Sequence, residues 1–365
     1  MLRGNRREGA VGQNVYSSLK FFHYPDRMQA LAAGQHVGPL HVRIKPTNTC
    51  NHDCYFCAYR RGGLSLGSTM QARDRIPREK MREIVEDLIA IDVKAVTFSG
   101  GGEPLLYPYL GETLERLAAG GIKIGVLTNG AQLRGRIADI LARTASWVRV
   151  SIDGWDDESY ARYRKVPRTA FDRVLTNMAA FAAHQSDCVL GSSVIVDQDN
   201  ASHLYELVAK LKASGATHAK ISPCILRESA ASNATYHRSF KPVVRRQIDR
   251  CKVLVGATFS VVDHYHFERE SSERERDSRC PMTRLLTVIG ADCQVYACQD
   301  KAYTNSGRIG SIQDGGFRDL WYSGETQDWL TSFDARSCAH HCVAAGKNRL
   351  LNEFLDMDRA HTAFA

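Results

Sequence analysis

Short apolar runs alternate with amphipathic segments along the chain from residue 41 to residue 225. The amphipathic segments have helical periodicity: in 78–92, one face collects Met81, Ile84, Val85, Leu88 and Ile89. The apolar runs predict strands at 41–47, 95–101, 122–130, 147–154, 189–197 and 217–224. Six strand–helix units in a row predict an α/β fold, a partial (β/α)6 barrel similar to part of a TIM barrel.

The predicted strands end in polar and special residues. In barrels of this kind, catalytic side chains gather at the carboxyl ends of the strands. We therefore expect the functional site at this end, among Cys50, Gly102, Glu103, Asn129, Asp153 and Cys224.

Outside the six units, the pattern predicts three further parts. Residues 1–40 form an N-terminal helical extension, in which 16–35 reads as one helical segment. The barrel at 41–264 ends with a helix at 241–256 and a strand at 257–263. A charged linker at 265–279 leads to a turn-rich domain at 280–365, which holds five cysteines and a C-terminal helix.

Composition adds the cellular setting. The chain has 365 residues, of which 44% are hydrophobic and 24% charged, which suits one large domain with a smaller appendage. Its first residues lack the apolar core of a secretory signal, and no apolar run reaches the roughly 18 to 20 residues of a membrane span. These features predict a cytoplasmic protein, in which clustered cysteines indicate metal or redox chemistry over disulfides.

The charge is mildly basic, with 48 basic against 40 acidic residues. The basic residues are scattered and mostly lie beside acidic ones, as in the mixed run at 267–280, which is typical of a solvated linker or helix face. A small excess of positive charge suits an anionic small-molecule substrate better than a nucleic acid.

Three cysteines fall within eight residues: Cys50, Cys54 and Cys57. In an iron–sulfur cube, thiolates normally cap each of four irons, so three ligands leave one iron open for chemistry. The alternative is a zinc site completed by His52. That residue lies two positions from both Cys50 and Cys54 and is poorly placed to bind one ion together with both.

The spacing Cys-x3-Cys-x2-Cys after a first strand, with Phe56 before the last cysteine, resembles the signature of the radical S-adenosylmethionine (radical SAM) superfamily. "SGGGEP" at 99–104 resembles the glycine-rich motif of that family, and "LTNG" and "VSIDG" resemble its polar contacts to AdoMet. The resemblance covers about 41–225. It implies AdoMet contacts from Phe56, Gly101, Gly102, Glu103, Asn129, Ser151 and Asp153.

The resemblance also implies a mechanism. A [4Fe–4S] cluster on Cys50, Cys54 and Cys57 would chelate AdoMet at its open iron. An electron from a donor such as flavodoxin or ferredoxin would then release a 5′-deoxyadenosyl radical, which abstracts hydrogen from an unactivated C–H bond. The protein would orient the substrate carbon and exclude water.

The tail contains a second cysteine set, Cys280, Cys298, Cys338 and Cys342. From the residues alone, zinc and an iron–sulfur cluster stay open, since neighbouring histidines at 340 and 341 could also bind zinc. Behind this barrel, the spacing resembles the auxiliary-cluster extension called SPASM or, in its shorter form, twitch. No cysteine follows Cys342, which implies twitch with one auxiliary [4Fe–4S] cluster, and Cys293 is left as a spare thiol that could replace Cys298.

Three other cysteines lie outside both sets. Cys188 and Cys251 are typical of small core residues. Cys224 ends the sixth strand, where its thiol could give a hydrogen atom to a substrate radical, as in radical SAM epimerases. It could also simply pack behind Pro223. A carbon radical beside a hydroxyl could instead pass its electron to the auxiliary cluster, as in the cyclitol dehydrogenases of the twitch group.

We therefore predict a radical SAM oxidoreductase or epimerase that acts on a carbohydrate-like small molecule. A SPASM-type peptide maturase is an alternative, although such enzymes usually carry a leader-binding segment longer than the 40 residues before the first strand here. An RNA-modifying radical SAM enzyme is a further alternative, but no basic stripe interleaved with aromatic residues supports it.

Overall fold

A computed structural model describes residues 15–61, 64–265, 277–338 and 342–364. Strands in these residues form one sheet, numbered here in chain order. They are β1 (His41–Ile44), β2 (Ala95–Phe98), β3 (Lys123–Thr128), β4 (Trp147–Ser151), β5 (Val189–Val196), β6 (His218–Pro223), β7 (Ser260–Asp263), β8 (Leu286–Ile289), β9 (Gln294–Tyr296) and β10 (Arg308–Ser311). Their order across the sheet is β10-β9-β8-β1-β2-β3-β4-β5-β6-β7.

Helices cover the outer face of the sheet and continue into the tail. They are α1 (Pro25–Ala32), α2 (Arg78–Ala90), α3 (Leu110–Ala119), α4 (Gly135–Thr144), α5 (Asp157–Arg164), α6 (Ala170–Ala182), α7 (Leu204–Ala213), α8 (Ala230–His237), α9 (Lys241–Cys251), α10 (Met282–Leu285), α11 (Phe317–Tyr322), α12 (Gly324–Ser332) and α13 (Ala345–Asp356). No helix of the described ranges is long and apolar enough to cross a membrane.

The predicted strand–helix units are confirmed, and with them the α/β fold class. Strands β1 to β7 are parallel neighbours, joined by helices that pack on one face. Strand β7, which follows the predicted last helix, joins the same sheet beside β6 in the register His218↔Ser260. Parallel pairing requires such crossovers, so the alternation along the chain already encodes the sheet.

Alternation within the strands separates the core from the barrel interior. Val42 and Ile44 of β1 are fully buried against α2, where Met81 and Leu88 are also buried. Ile89, which we expected on the same face of α2, is 39% exposed because it lies at the edge of the apolar stripe. Since successive side chains point to opposite faces of a strand, the residues between the core positions face the barrel interior.

The tail extends the barrel sheet. Strand β8 pairs in parallel with β1, from His41↔Leu286 to Ile44↔Ile289, and β9 and β10 follow it in antiparallel pairs. The domain limits stay a prediction. Most of the predicted linker, residues 266–276, lies outside the described residues, as do residues 1–14 of the N-terminal extension.

The N-terminal extension is helical but divided in two. The segment 16–35, which we expected as one helix, contains a 3₁₀ turn at Lys20–His23 and then α1. Pro25 opens α1, because a residue without an N–H fits the first helical position and cannot continue the preceding turn. Phe21 and Met28 pack in a small cluster with Leu285 and Leu351, so this segment is held against the tail.

Candidate active site

The three cysteines of the predicted signature lie in one loop that leaves β1 at the carboxyl end of the sheet. The amide of Cys57 donates to the carbonyl of Cys54 (3.1 Å), which closes a turn that brings the loop back on itself. All three thiols are half-buried. Burial raises the pKa of Cys50 to about 11, and the nearby Cys54 and Glu103 raise it further, although a bond from the His52 amide opposes them. Cys57 in turn raises the pKa of Cys54, so each thiol lies within electrostatic reach of the next.

Arg164, the last residue of α5, joins this loop to β4. Its guanidinium pairs with the buried carboxylate of Asp153 and places Nη1 3.5 Å from the sulfur of Cys54. The carbonyl of Arg164 also accepts a bond from the amide of Asp53 (3.0 Å). The carboxylate of Asp153, which we predicted as an AdoMet contact, therefore accepts hydrogen bonds from Arg164 and from the amide of Ile195 (2.7 Å).

The glycine motif after β2 packs directly on the residues that precede Cys50. The amide of Gly102 donates to the carbonyl of Thr47 (3.0 Å), and that of Glu103 to the carbonyl of Thr49 (2.9 Å). A Cβ on Gly101 would lie 2.0 Å from Oδ1 of Asn48, and one on Gly102 would lie 2.1 Å from the carbonyl oxygen of Thr49. Glycine is required here because the two loops approach each other more closely than any side chain allows.

Glu103 fixes the start of the next loop. Its buried carboxylate accepts bonds from Oγ1 of Thr128 (2.6 Å), the amide of Asn129 (2.7 Å) and the amide of Leu105 (3.0 Å). Asn129 then donates from Nδ2 to Oδ1 of Asn51 in the cysteine loop (2.8 Å). Burial raises the pKa of Glu103, and these three bonds oppose the rise.

The two remaining predicted AdoMet contacts differ in their surroundings. Phe56 is packed among aromatic rings, with Tyr55 at 5.3 Å and Tyr163 at 6.1 Å between centroids, and the guanidinium carbon of Arg164 lies 5.3 Å from its ring. Ser151 lies beside Ser193 on the inner face of the barrel. Among the described residues, Ser151 forms no hydrogen bond with a side chain of the cysteine loop.

The four tail cysteines influence one another through space. Burial raises the pKa of Cys342 to about 12, with Cys280 and Cys338 adding to the rise. The pKa of Cys298 is raised well above its usual value, first by burial and then by groups that include Cys342 and Cys280. Cys280, Cys298, Cys338 and Cys342 therefore lie within electrostatic reach of one another. His340 and His341, considered as zinc ligands, lie outside the described residues.

Cys293 faces elsewhere. It belongs to the main hydrophobic core at the β8–β9 turn, with a φ of 58°, and the ionisable groups near it are Asp292, Lys80, Asp74 and Glu83. The structure thus groups Cys298, and not Cys293, with the other three tail cysteines.

A buried lysine connects the two cysteine sets. Lys45 follows β1 and donates from Nζ to the hydroxyl of Tyr59 (2.7 Å), the carbonyl of Gly100 (2.7 Å) and Oε1 of Gln299 (3.3 Å). Gln299 follows Cys298, and Tyr59 follows the cysteine loop. Burial lowers the pKa of Lys45 well below its usual value. The tail also reaches the loop through Tyr303, whose hydroxyl donates to Oδ1 of Asn48 (2.7 Å).

Cys224 lies where the sequence placed it, just beyond the carboxyl end of β6. Alternation from Lys220 puts its side chain on the inner face, and it is 1% exposed. Unlike Cys188 and Cys251, it is not part of the main core cluster. Burial raises its pKa well above the usual value, with Asp197 and Asp153 adding to the rise. The thiol is therefore held in its protonated S–H form.

Comparison with known proteins gives these loops a context. The sequence profile of the Radical SAM superfamily matches residues 44–211, which include both the cysteine loop and the glycine motif. This chain contains a radical SAM domain. The family implies AdoMet and one [4Fe–4S] cluster, which is the chemistry expected of the three-cysteine loop.

Three similar proteins are informative. The dTDP-4-amino-4,6-dideoxy-D-glucose ammonia-lyase of Streptomyces venezuelae is 30% identical over 187 residues, which are 49% of this chain and 37% of the lyase. The mycofactocin maturase MftC of Mycobacterium tuberculosis is 25% identical over 84% of this chain and 79% of its own. SuiB of Streptococcus suis, solved bound to S-adenosylmethionine, has a TM-score of 0.61 at 17% identity, over 86% of this chain and 73% of its own. The last likeness concerns the fold.

The described residues fit the cofactors of a radical SAM domain. Three soft sulfur donors lie within electrostatic reach of each other, beside a glycine loop that packs on the residues before Cys50. Within the described ranges, Oγ of Ser99, Nδ1 of His52 and the hydroxyl of Tyr160 are buried without a hydrogen-bond partner. Buried polar atoms are normally satisfied, so these atoms are consistent with a bound group.

Sequence reasoning missed the residues that hold the site from a distance. Arg164, Lys45, Gln299 and Tyr303 contact the loops from other elements, and no local motif marks them. The position of Lys45 was the one indication of such a role in the sequence, because a lysine directly after a buried strand faces either solvent or a barrel interior.

Proposed function

We propose that Cys50, Cys54 and Cys57 hold a [4Fe–4S] cluster that binds AdoMet, and that the protein acts on a C–H bond of a carbohydrate-like small molecule. When bound and reduced, this pair supplies a 5′-deoxyadenosyl radical. The observation that carries the proposal is the joint placement of the three thiols and the glycine motif, whose backbone is bonded to the residues before Cys50.

In this proposal, the protein positions AdoMet and excludes water from the cysteine loop. Backbone carbonyls of Gly101, Gly102 and Glu103 receive the amino group of AdoMet's methionine, because the amides of Gly102 and Glu103 already donate to the carbonyls of Thr47 and Thr49. Arg164 keeps a positive charge beside Cys54, which favours the thiolate needed for ligation. Phe56 and the rings around it exclude water from the loop.

We further propose that the four tail cysteines hold a second, closed [4Fe–4S] cluster. The effect of these thiols on one another's pKa supports their binding of one common cluster. Four thiolates cap all four irons of a cube, so the proposed cluster is closed.

Cys224 is proposed as the hydrogen donor of an epimerisation. Its S–H would pass a hydrogen atom to a substrate carbon radical on the side opposite the adenosyl group, which inverts that carbon. The resulting sulfur radical regains one electron and one proton, the electron from the auxiliary cluster or from an external flavodoxin or ferredoxin. The alternative fate of the radical is dehydrogenation, in which it loses a proton and one electron, and Cys224 takes no part.

A second candidate, a peptide maturase, is favoured by one observation. The match to the maturase MftC extends over most of both chains. The match to the sugar-nucleotide lyase has higher identity but covers only part of each chain. The identity of the molecule whose C–H bond reacts separates these two functions.

Iron analysis tests the cofactor assignment. The anaerobically reconstituted protein should hold about eight irons per chain, and Cys50→Ala/Cys54→Ala/Cys57→Ala about four, with no 5′-deoxyadenosine formed. Cys188→Ala, which removes a core thiol, should keep both the iron and AdoMet cleavage. Stoichiometric zinc with no iron after anaerobic preparation would show that both assignments are wrong.

A further inference from the structure

Three cationic side chains point into the barrel interior, and two more approach them from the N-terminal segment and the tail. Arg43 of β1, Arg149 of β4 and Lys220 of β6 alternate with buried core residues and therefore point to the inner face. Lys20 of the N-terminal segment and Lys347 of α13 approach the same region. We call these five residues the interior cations.

These cations repel one another. Burial lowers the pKa of Lys220 to about 7, and Arg149, Arg43 and Lys347 lower it further. Burial followed by Lys20 and Arg43 lowers the pKa of Lys347. Arg149 adds to the effect of burial on Lys20. Several like charges gathered in a space of low dielectric constant destabilise the ligand-free protein.

No carboxylate in the described part of the chain forms an ion pair with any of the five. On the outer surface, by contrast, a basic side chain such as Arg143 pairs with an acid, Glu115. Nε of Arg149 is also buried without a hydrogen-bond partner among the described residues. Buried charges normally have such partners, so this group calls for an anion that is not part of the described chain.

The hydrogen-bond partners of the interior cations are uncharged, and the acid within electrostatic reach of Arg43 is Asp300, which follows Gln299, the residue that Arg43 bonds. Arg149 donates from Nη1 to the hydroxyl of Tyr16 (2.9 Å), which lies 2.8 Å from Nε2 of His218. Burial, with Arg149 and Lys220, lowers the pKa of His218 to about 4, so its ring is neutral at pH 7. Nζ of Lys220 lies 5.5 Å from the centre of the Tyr16 ring. These contacts orient Arg149 without neutralising it.

Hydroxyl groups lie in the same layer. Ser151 of β4 is paired with Ser193 of β5, and Ser193 with Lys220 of β6, so two hydroxyls and one ammonium form a row across the inner face. All three side chains are half-buried and therefore reachable from the barrel interior. Arginine, lysine and hydroxyl donors together are the usual set for a phosphate group.

We propose that the barrel interior binds the phosphate or diphosphate group of the substrate through Arg43, Arg149 and Lys220, with Lys20 and Lys347 adding to the positive potential. This inference rests on the proposed function, since it takes the substrate to lie in the barrel. Lys220 and Cys224 share one face of β6 and are four residues apart, about 13 Å along the strand. A phosphorylated sugar or a sugar nucleotide is long enough to place its phosphate at one end of this distance and its reacting carbon toward the other.

A group with two or more negative charges matches this site better than a single carboxylate. One carboxylate would leave most of the repulsion among five cations in place. A phosphate ester carries close to two negative charges at neutral pH, and a diphosphate carries more, together with several acceptor oxygens. The proposal therefore predicts that affinity rises from acetate, which has one carboxylate, to phosphate to pyrophosphate.

Thermal unfolding and calorimetric titration of the reconstituted protein test this site, with pyrophosphate, phosphate, acetate and sodium chloride of equal ionic strength as probes. Pyrophosphate should raise the melting temperature by several degrees, in a saturable manner that sodium chloride does not reproduce. Lys220→Met and Arg149→Met should each weaken pyrophosphate binding about tenfold or more. Arg143→Met, with the same loss of charge on an exposed helix, should bind it as the wild type does.

The ligand-free variants provide an independent reading. Because Lys220→Met removes one of several repelling charges, its melting temperature without probe should equal or exceed that of the wild type. Lys220→Arg keeps the charge, and should keep the affinity even if Lys220→Met does not fold. A fall in the ligand-free melting temperature of Lys220→Met would show that the lysine already has an anionic partner in the chain, and the proposal would be wrong.

Equal effects of pyrophosphate and sodium chloride, or unchanged affinity in both Met variants, would also overturn the proposal. 5′-Deoxyadenosine formation without substrate, measured on the same wild-type sample, reports on the cysteine loop separately. If that cleavage is absent while pyrophosphate binds, the proposed function is wrong and the anion site stands. If cleavage occurs and pyrophosphate does not bind, only the anion site fails.

Discussion

The thiols of Cys224, Cys188 and Cys251 are all buried, yet they have different surroundings. Cys188 and Cys251 belong to the main hydrophobic core, where a thiol behaves as a small apolar group. Cys224 faces the barrel interior, and the acids Asp197 and Asp153 add to the rise of its pKa. Substitution of these cysteines should therefore affect different properties.

Cys224→Ala should still cleave AdoMet and abstract hydrogen, but an epimerase would then lack its donor and turnover should stall. In deuterated water, the wild-type product should carry deuterium from the exchangeable thiol. Mass spectrometry of the product and the yield of 5′-deoxyadenosine measure both effects. Cys251→Ala, which removes the same atom from α9, should keep the wild-type product. A Cys224→Ala enzyme with wild-type product and rate would assign the electron to the auxiliary cluster and exclude this thiol.

Lys220 should also give the ligand-free protein a recognisable pH dependence. The groups that face it are the cations Arg149, Arg43 and Lys347, together with Tyr16, and its pKa falls from 10.5 to about 7. Above pH 7, the folded protein releases this proton and the unfolded chain keeps it, so the free energy of unfolding rises with pH. Below pH 7 both states are protonated, and the full penalty of burying the charge remains.

The measurement is the difference in free energy of unfolding between Lys220→Met and the wild type, at constant ionic strength. We expect the variant to be the more stable protein near pH 6, and the difference to shrink as the pH rises from 7 toward 10. Other titrating groups are common to both proteins and largely cancel. A difference that does not change over this range would mean that Lys220 keeps its proton in the folded state.

At the scale of elements, the alternation along the chain predicted the strands and their parallel order, because each apolar run can be buried only against the helix that follows it. The position of β8 could not be predicted in this way. A strand pattern shows that a segment pairs, but it does not show which strand edge it pairs with. Strand β8 pairs with β1 although all the other barrel strands lie between them in the sequence. The cysteine loop and the glycine motif could be predicted because the spacing of their residues is local. The roles of Arg164 and Lys45 could not be predicted, because they contact residues that are distant in the sequence.

Asn348 of helix α13 contacts one of the tail cysteines. Asn348 donates from Nδ2 to the sulfur of Cys280 (3.1 Å) and accepts at Oδ1 from the amide of Met282 (3.0 Å). A hydrogen bond to a ligating sulfur stabilises the more negative, reduced form of a cluster. Asn348→Ala should therefore keep about eight irons per chain and shift the potential of one cluster to more negative values.

A redox titration followed by electron paramagnetic resonance measures this shift. Asn352→Ala provides the matched control, because Asn352 lies one helical turn further along α13 and its Oδ1 has no hydrogen-bond partner among the described residues. The potential of this control should equal that of the wild type. Equal potentials in all three proteins would indicate that Cys280 does not ligate a cluster.

For the whole molecule, one sheet carries both cysteine sets. Strand β1 leads into Cys50, and the β8–β9 hairpin beside it leads into Cys298. Lys45 and Gln299 then bond across the gap between them. The two proposed clusters are thus attached to adjacent strands of a continuous hydrogen-bonded sheet, and not to two domains that could move apart.

This continuity has a consequence for synthesis on the ribosome. The chain emerges N-terminus first, so β1 can pair with β2 early. The other edge of β1 stays unpaired until β8 is made, and β8 follows all seven barrel strands along the chain. At usual translation rates, that interval is on the order of ten seconds. During it, an unpaired strand edge stands beside three reactive thiols, and exposed edges are where chains join wrongly. Nascent chains stalled before residue 286 should therefore label readily at Cys50 with a thiol reagent, and those stalled well after residue 311 should label slowly. Equal labelling would mean that the loop is already ordered by the barrel strands alone.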